Sequence, residues 1–374
     1  MKKILFISSS RADYGLLRDV IIQTQKMNKN TFLLVTGSHL SSSFGNTIFE
    51  IKNDKIKNII KKKLLENKFN DLSISKYVSK SINLTAEAII KKKPNVVVIL
   101  GDRYELLGSA IAAMTFRIPI AHIHGGEVTY GAYDDSIRHS LTKLSHLHFP
   151  IHDKYKKRLI QLGEHPSTIF NYGGLGAHSI SEMKLLKKSQ LEKKLKISLS
   201  NKIVLVTFHP VTLEKNKSKF QIKNLIKFLN TLKDMTIIIT SPNFDNENDI
   251  LKKEFLKFQK KKGVYFFNSL GNKAYISLMK IAYFVIGNSS SGVLETPSFG
   301  TPTINIGNRQ KGRIISKNII NSDYDYKSLY KAFQKMKKKQ KITNNPFLKK
   351  GTPTRIAKKI LNFKYKIKKK FYDI

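Results

Sequence analysis

The sequence predicts an α/β fold made of two Rossmann-like, doubly wound domains with a ligand cleft between them. Three observations carry that prediction. Short, nearly uninterrupted apolar runs such as Val96–Leu100 and Ile203–Phe208 recur along the chain, as strands buried on both faces of a parallel sheet require. Helix-spaced stretches separate them. The pattern breaks near residue 182 and restarts near 203, and 374 residues exceed the usual size of one domain.

In order, Lys2–Ile7 (KKILFI) reads as the first strand, SSSRADYG as a polar turn, and Leu16, Leu17, Val20 and Ile21 as one face of a helix. Phe32–Val35, Val96–Leu100 and Ile118–Ile123 read as further strands, ending in TGSHLSSSFG, GDRYE and HGGE. A weaker strand at Leu147–Phe149 and the segment Ile169–Gly176 close the first half, and lysine-rich Glu182–Asn201 reads as the linker region. The second half runs through Ile203–Phe208 (ending in HP), Met235–Ile239 (TSPNFD), Val264–Phe267 (NSLG), Tyr283–Ile286 (GNSSSG) and Pro302–Ile306 (GNRQKGR). The halves share no detectable sequence repeat. The expected domains are 1–181 and 182–351, with 352–374 a basic helix and tail that packs back on the first domain. Polar clusters at strand C-termini place the ligand in the cleft.

Composition narrows the function. No run of about 18 uncharged apolar residues exists, and the opening MKKILFISSSRADYG reaches polar residues too soon for a signal peptide. A soluble, cytoplasmic protein without membrane contact is expected. With no cysteine, disulfides, thiolate metal sites and a cysteine nucleophile are excluded. The formal charge of +42 raises the question of nucleic acid, yet only nine of the 68 basic residues are arginine. Lysine runs such as Lys61–Lys63 and Lys368–Lys370 fit solvated faces better than base readout, so no nucleic-acid partner is expected.

The arginines are the more telling cations, because a guanidinium grips phosphate or carboxylate with two parallel bonds. Arg11, Arg103, Arg138, Arg309 and Arg313 all fall in segments that are candidates on other grounds. GNSSSG (287–292), between a strand and an expected helix, offers backbone N–H groups and the hydroxyls of Ser289 and Ser290 to phosphate. Glu295, expected in that helix's first turn, suits ribose hydroxyls, and His209 follows a strand directly. Neither GxGxxG nor GxxxxGK[ST] occurs, which disfavours dinucleotide and Walker-type chemistry.

Asp102 follows one strand, and Glu127, Asp134 and Asp135 follow the next. Carboxylates gathered at adjacent strand ends, with Arg103 and Arg138 nearby, acquire unequal proton affinities, as a general acid and a general base need. His124 belongs to the same cluster. On a continuing strand His122 and His124 would share a face beside Glu127, as metal ligands can, but HExxH is absent and no metal is expected.

Together SSRADYG (9–15), TGSHLS (36–41), LGDRYE (100–105), HIHGGEVTYGAYDDSIRHSLTKLSHLHF (122–149), FHP (208–210) and GNSSSGVLETPSFGTPTINIGNRQKGR (287–313) resemble the hydrolysing UDP-N-acetylglucosamine 2-epimerases. The resemblance implies a GT-B-like fold, a UDP-sugar substrate, no cofactor and a homo-oligomer. It implies that Arg11 and Ala12 contact UDP, His209 the diphosphate, Ser289 and Ser290 a phosphate, Glu295 the ribose and Arg309 the nucleotide. Asp102 and Asp134 match acids with catalytic roles, and Arg138 a substrate-side arginine. Many relatives have a glutamate where this chain has His124, and the spacing to Asp134 is one residue longer. The implied reaction converts UDP-N-acetylglucosamine and water to N-acetylmannosamine and UDP through a 2-acetamidoglucal, for sialic-acid-type sugars. Its alternatives are the same reaction on a UDP-2,4-diacetamido-6-deoxy sugar, or glycosyl transfer.

Overall fold

The structure is a computed structural model, describing residues 1–40, 47–64, 71–129, 134–211, 214, 216–242, 247–338 and 342–374. Residue 41 of TGSHLS and residues 130–133 of the long histidine-rich motif lie outside the described residues. The chain divides into two units. The first takes in Met1–Glu127, Asp134–Ser179 and Lys349–Ile374; the second is Ile180–Leu348 with the short segment that begins at Val128.

The first unit holds a six-stranded sheet with the order β3-β2-β1-β4-β5-β6. Its strands are β1 (Ile4–Ser8), β2 (Thr31–Val35), β3 (Ile59–Lys61), β4 (Val96–Leu100), β5 (Ile120–Ile123) and β6 (Leu147–Phe149). All pairs are parallel. Alternate residues explain why helices cover both faces: Ile4 and Phe6 of β1 enter one buried apolar cluster, Leu5 and Ile7 the other. The segment from Ile169, read as closing the first half, makes a single bridge to His148 before a helix starts at Leu175.

The second unit repeats this plan with β7 (Ile203–Thr207), β8 (Thr236–Thr240), β9 (Val264–Phe267), β10 (Phe284–Gly287), β11 (Thr303–Ile306) and β12 (Ile319–Ser322), in the order β12-β11-β10-β7-β8-β9. Counted from each unit's first strand, both sheets follow one doubly wound order, a fold-level repeat that the sequence does not display. Val204, Val206 and Phe208 face one core and Ile203 and Leu205 the other. The lysine-rich stretch read as a linker carries the helix Lys188–Leu195, with Leu191 and Leu199 buried in this second core. Its lysines occupy the exposed face of an amphipathic element.

Helix Thr352–Asn362 lies against helix Arg11–Met27, with Ile356 and Ile360 in the first unit's core. Among the described residues no helix is long and apolar enough to cross a membrane.

Candidate active site

In each doubly wound sheet the strand order reverses beside the first strand, and the loops there diverge to leave a crevice at the strand C-termini. In the first unit this is between β1 and β4, so the loops after Ser8 and after Leu100 flank it. After β1 the chain turns around Asp13. Its Oδ2 accepts from the backbone N–H of Ser9 (3.0 Å) and Ser10 (2.9 Å) and from both hydroxyls (2.9 and 3.0 Å), and Ser10 caps the following helix in return. Arg11 and Ala12 are thereby held in the first turn of that helix, with the Arg11 guanidinium 3.0 Å from Glu50.

After β4 and β5, the organising residue is Arg138, only 1% exposed. It projects from helix Asp134–Leu144 and donates to Asp102, to Asp135 Oδ1 (3.2 Å) and to the backbone oxygen of Glu127 (2.9 Å). A buried guanidinium needs such ionic partners, since each ion alone would carry a large desolvation penalty; here they hold its pKa above the ordinary arginine value despite burial. Asp135 also reaches His139 Nε2 at 3.4 Å. Asp102, Glu127, Asp135 and Arg138 are thus brought together, and Asp134 begins the helix that carries two of them. Arg103 does not join them: its Nε lies 2.6 Å from Glu105 and its guanidinium sits over the Tyr104 ring.

The histidines separate into different roles. His122 lies in β5, fully buried, its Nε2 donating to the backbone oxygen of Gly101 at 2.7 Å. Burial pushes it down to about 3, so it is a neutral fixture between neighbouring strand ends. The strand stops at Ile123, and His124 has a left-handed backbone, φ +67°. The strand ends where the sequence reading ended it, and the turn removes His124 from the face of His122 that a continuing strand would have given it. It points Nδ1 at Glu127 Oε1, 3.3 Å away, and leaves Nε2 buried without a hydrogen-bond partner. The next glycines fit the tight return. Gly126 has φ +79°, and a Cβ there would lie 2.6 Å from the backbone oxygen of Tyr155. Among the described residues no cluster of three or more His, Asp and Glu side chains is placed to hold a metal.

The second unit has its crevice between β7 and β10. Asn288 stitches the two loops: its side chain accepts from His209 N (2.7 Å) and donates to His209 O (2.8 Å). Its own backbone oxygen accepts from Arg309 (3.1 Å) and Gln310 (2.9 Å), which brings the loop after β11 to the same point. Burial, then the Arg309 charge, pushes His209 well below the ordinary imidazole value, so its ring is neutral. Ser289 Oγ accepts from Ser291 Oγ at 3.0 Å, Ser291 contacts the Tyr275 hydroxyl at 2.6 Å, and Tyr275 contacts Thr207 at 3.1 Å. Ser290 opens the helix without a side-chain capping bond, and the Arg313 N–H donates to Gln310 O within the loop after β11.

One expectation is corrected. The helix after GNSSSG is the single turn Ser291–Leu294, and Glu295 follows it rather than standing in its first turn. A Pro at position 297 opens a 3₁₀ turn and ends the run. So short a helix has little dipole, so the anion affinity expected of this loop would have to come from its N–H groups and serine hydroxyls. Burial pushes Glu295 up to about 7. The folded state therefore binds more protons than the unfolded chain between about pH 4.5 and 7, and stability falls as pH rises through that window. Urea midpoints should decline from about pH 5 to about pH 8 in the native protein and decline less in Glu295→Gln. Equal slopes in the two proteins would place Glu295 in a solvated setting.

Sequence reading did not single out Asp13, Asn288 or Tyr275 as organisers of the site. Asp13 carried a signal, as the third residue after Ser10 in a capping-box pattern; Asn288 and Tyr275 act through partners distant in sequence, which no local pattern records.

A sequence profile described as UDP-N-acetylglucosamine 2-epimerase matches residues 23–361. The chain is 43% identical over 343 residues to a Campylobacter jejuni protein named GDP/UDP-N,N'-diacetylbacillosamine 2-epimerase (hydrolyzing), covering 91% of this chain and 88% of that one. It is 36% identical over 387 residues to the Escherichia coli polysialic acid biosynthesis protein P7, covering 100% and 98%. In fold it resembles the crystal structure of UDP-GlcNAc 2-epimerase from Neisseria meningitidis bound to UDP-GlcNAc, with a TM-score of 0.81 at 16% identity over 96% of this chain and 100% of that one. The profile match, the two relatives and the shared two-sheet architecture identify the chain as a member of the UDP-N-acetylglucosamine 2-epimerase family.

Proposed function

We propose that the protein is a hydrolysing 2-epimerase of a UDP-linked 2-acetamido sugar. The observation that carries this reading is the buried arginine at the first unit's strand ends with Asp102, Asp135 and the His124–Glu127 pair around it. Removing a proton from C2 and returning one to its other face requires several acid–base groups within reach of one ring. Asp102, His124, Glu127 and Asp134 are assigned to that work, and Arg138 to orienting Asp102. The C2–H and C1–O bonds break first, releasing UDP and leaving a 2-acetamidoglucal. Water then adds its hydroxyl at C1 while C2 is protonated from the opposite face, which yields the epimeric free sugar.

In the second unit, Ser289, Ser290, His209, Arg309 and Arg313 are assigned to the diphosphate and Glu295 to the ribose. Donors fixed in advance of UDP departure stabilise the charge that develops on its phosphate. Arg11 and Ala12 are assigned to UDP, as the resemblance implies.

The first substrate read from the sequence is UDP-N-acetylglucosamine, giving N-acetylmannosamine. A second is a UDP-2,4-diacetamido-6-deoxy sugar, favoured by the 43% identity with the Campylobacter jejuni protein named for diacetylbacillosamine. An NMR time course in D2O with each sugar, and with a GDP-linked diacetamido sugar alongside, tests the reading. Nucleoside diphosphate appearing with a free sugar deuterated at C2 is the expected result, and the substrate consumed fastest identifies the branch. Inertness toward all three, or transfer of the sugar to an added acceptor without deuterium at C2, overturns it.

A further inference from the structure

The last residues of the chain run along the far end of the helix that carries Asp134, Asp135 and Arg138. His146 Nε2 donates to the backbone oxygen of Ile367 (3.3 Å), Tyr372 N donates to Gly163 O (2.9 Å), and the Tyr372 ring meets His165 edge-on at 5.0 Å. Between these anchors Lys369 turns inward. Its ammonium donates to the backbone oxygens of Lys143 (2.7 Å), Ser145 (2.7 Å) and Thr142 (3.3 Å), the last also accepting from Ser145 N (3.0 Å), where helix Asp134–Leu144 ends and carbonyls lose the i+4 donors of the helix interior.

The same ammonium lies 2.7 Å from Oε2 of Glu164, which is 1% exposed. Glu164 also accepts from His148 of β6 (2.9 Å) and Lys143 of the helix (2.9 Å). Burial works to raise Glu164, but the His148 hydrogen bond and the Lys369 ammonium outweigh it and draw it down to about 2. Burial keeps His148 low and neutral. One carboxylate thus ties a strand, the helix and the C-terminal segment together, and Lys369 is the cation the segment brings.

We propose that Lys369 is a positioning residue: by capping helix Asp134–Leu144 and neutralising Glu164, it sets the helix register that presents Arg138 to Asp102. This rests on the reading of the Asp102–Arg138 pair as part of the catalytic site. Arg138 is one turn from Thr142, so a frayed or displaced final turn is felt where Arg138 leaves the helix. Misplacement of a catalytic group by about 1 Å can cost roughly a hundredfold in rate.

The test uses the full chain with Lys369→Met, Lys369→Arg and Phe371→Ala, the last removing the ring that packs on Gly163 while keeping the ammonium. Two readouts are taken: steady-state kinetics with the sugar nucleotide the native protein turns over, and hydrogen exchange of residues 134–145. Lys369→Met should lower kcat about tenfold with KM within about twofold, while exchange in the helix accelerates; Lys369→Arg should recover both, and Phe371→Ala should shift both less and in the same direction. Native kcat in Lys369→Met, or a fall in kcat with unchanged exchange, overturns the proposal. If Lys369→Met does not fold, Phe371→Ala decides on the same two criteria. A native protein inert toward every sugar nucleotide counts against the epimerase reading, whereas unchanged helix exchange in the variants counts against the Lys369 strap.

Discussion

Asp102→Asn is expected to lower kcat by about a thousandfold, within the range that loss of a general acid or base produces, while UDP affinity changes no more than about twofold. The substitution keeps the shape of the side chain and one acceptor for Arg138. It removes the charge that the buried guanidinium faces and the basic oxygen available to a proton. Asp135 Oδ1, at 3.2 Å, remains as an ionic partner, so the protein should fold with a modest loss of stability. Titration calorimetry with UDP separates the two halves of the expectation, because the residues assigned to the diphosphate belong to the second unit. Deuterium incorporation at C2 should vanish together with turnover. A variant with near-native kcat would show that the acid–base cluster has been placed wrongly.

Gly287→Ala should disable the second unit as a whole. Gly287 ends β10 with φ +146°, and a Cβ there would lie 1.9 Å from the backbone oxygen of Thr207, its register partner in β7. No rotamer relieves a clash between Cβ and a neighbouring backbone, so the strands must part or the loop carrying Asn288 must move. The expected cost is on the order of 3 kcal/mol or more, since both strain and lost packing contribute. A lowered melting temperature and UDP binding weakened by at least about tenfold, that is about 1.4 kcal/mol, should appear together. A native melting temperature with native UDP affinity would mean that the two strands have slack this geometry does not contain.

The strands flanking each crevice were legible because they are the most buried. Val96–Leu100 and Ile203–Thr207 are apolar almost throughout, and the polar residues after them mark their C-termini. Strands β3 and β12 were not read. Both are sheet edges, and IIK and IINS need only one neighbour and little apolar content. The carboxylates around Arg138 were legible as a group from their positions after adjacent strands. Their division of contacts was not: Arg103 turns to Glu105, two residues away, whereas Asp102 turns to an arginine on a later helix. His122 and His124 look equivalent in sequence, and only the left-handed backbone at His124 separates a buried strut from a side chain facing Glu127.

The first unit is assembled from sequence on both sides of the second, and this orders events during synthesis. The second unit's sheet is contiguous and can form while the ribosome is still at work, whereas helix Thr352–Asn362 and Lys369 come after it in the chain. At about 5–20 residues per second, Glu164 and the apolar face of helix Arg11–Met27 wait on the order of ten seconds or more for them. Throughout that interval the nascent chain exposes an unfinished apolar face and an under-neutralised carboxylate. Translation that halts before this segment would release a chain whose second unit is folded and whose first unit is not, a species prone to aggregate and a natural client for chaperones.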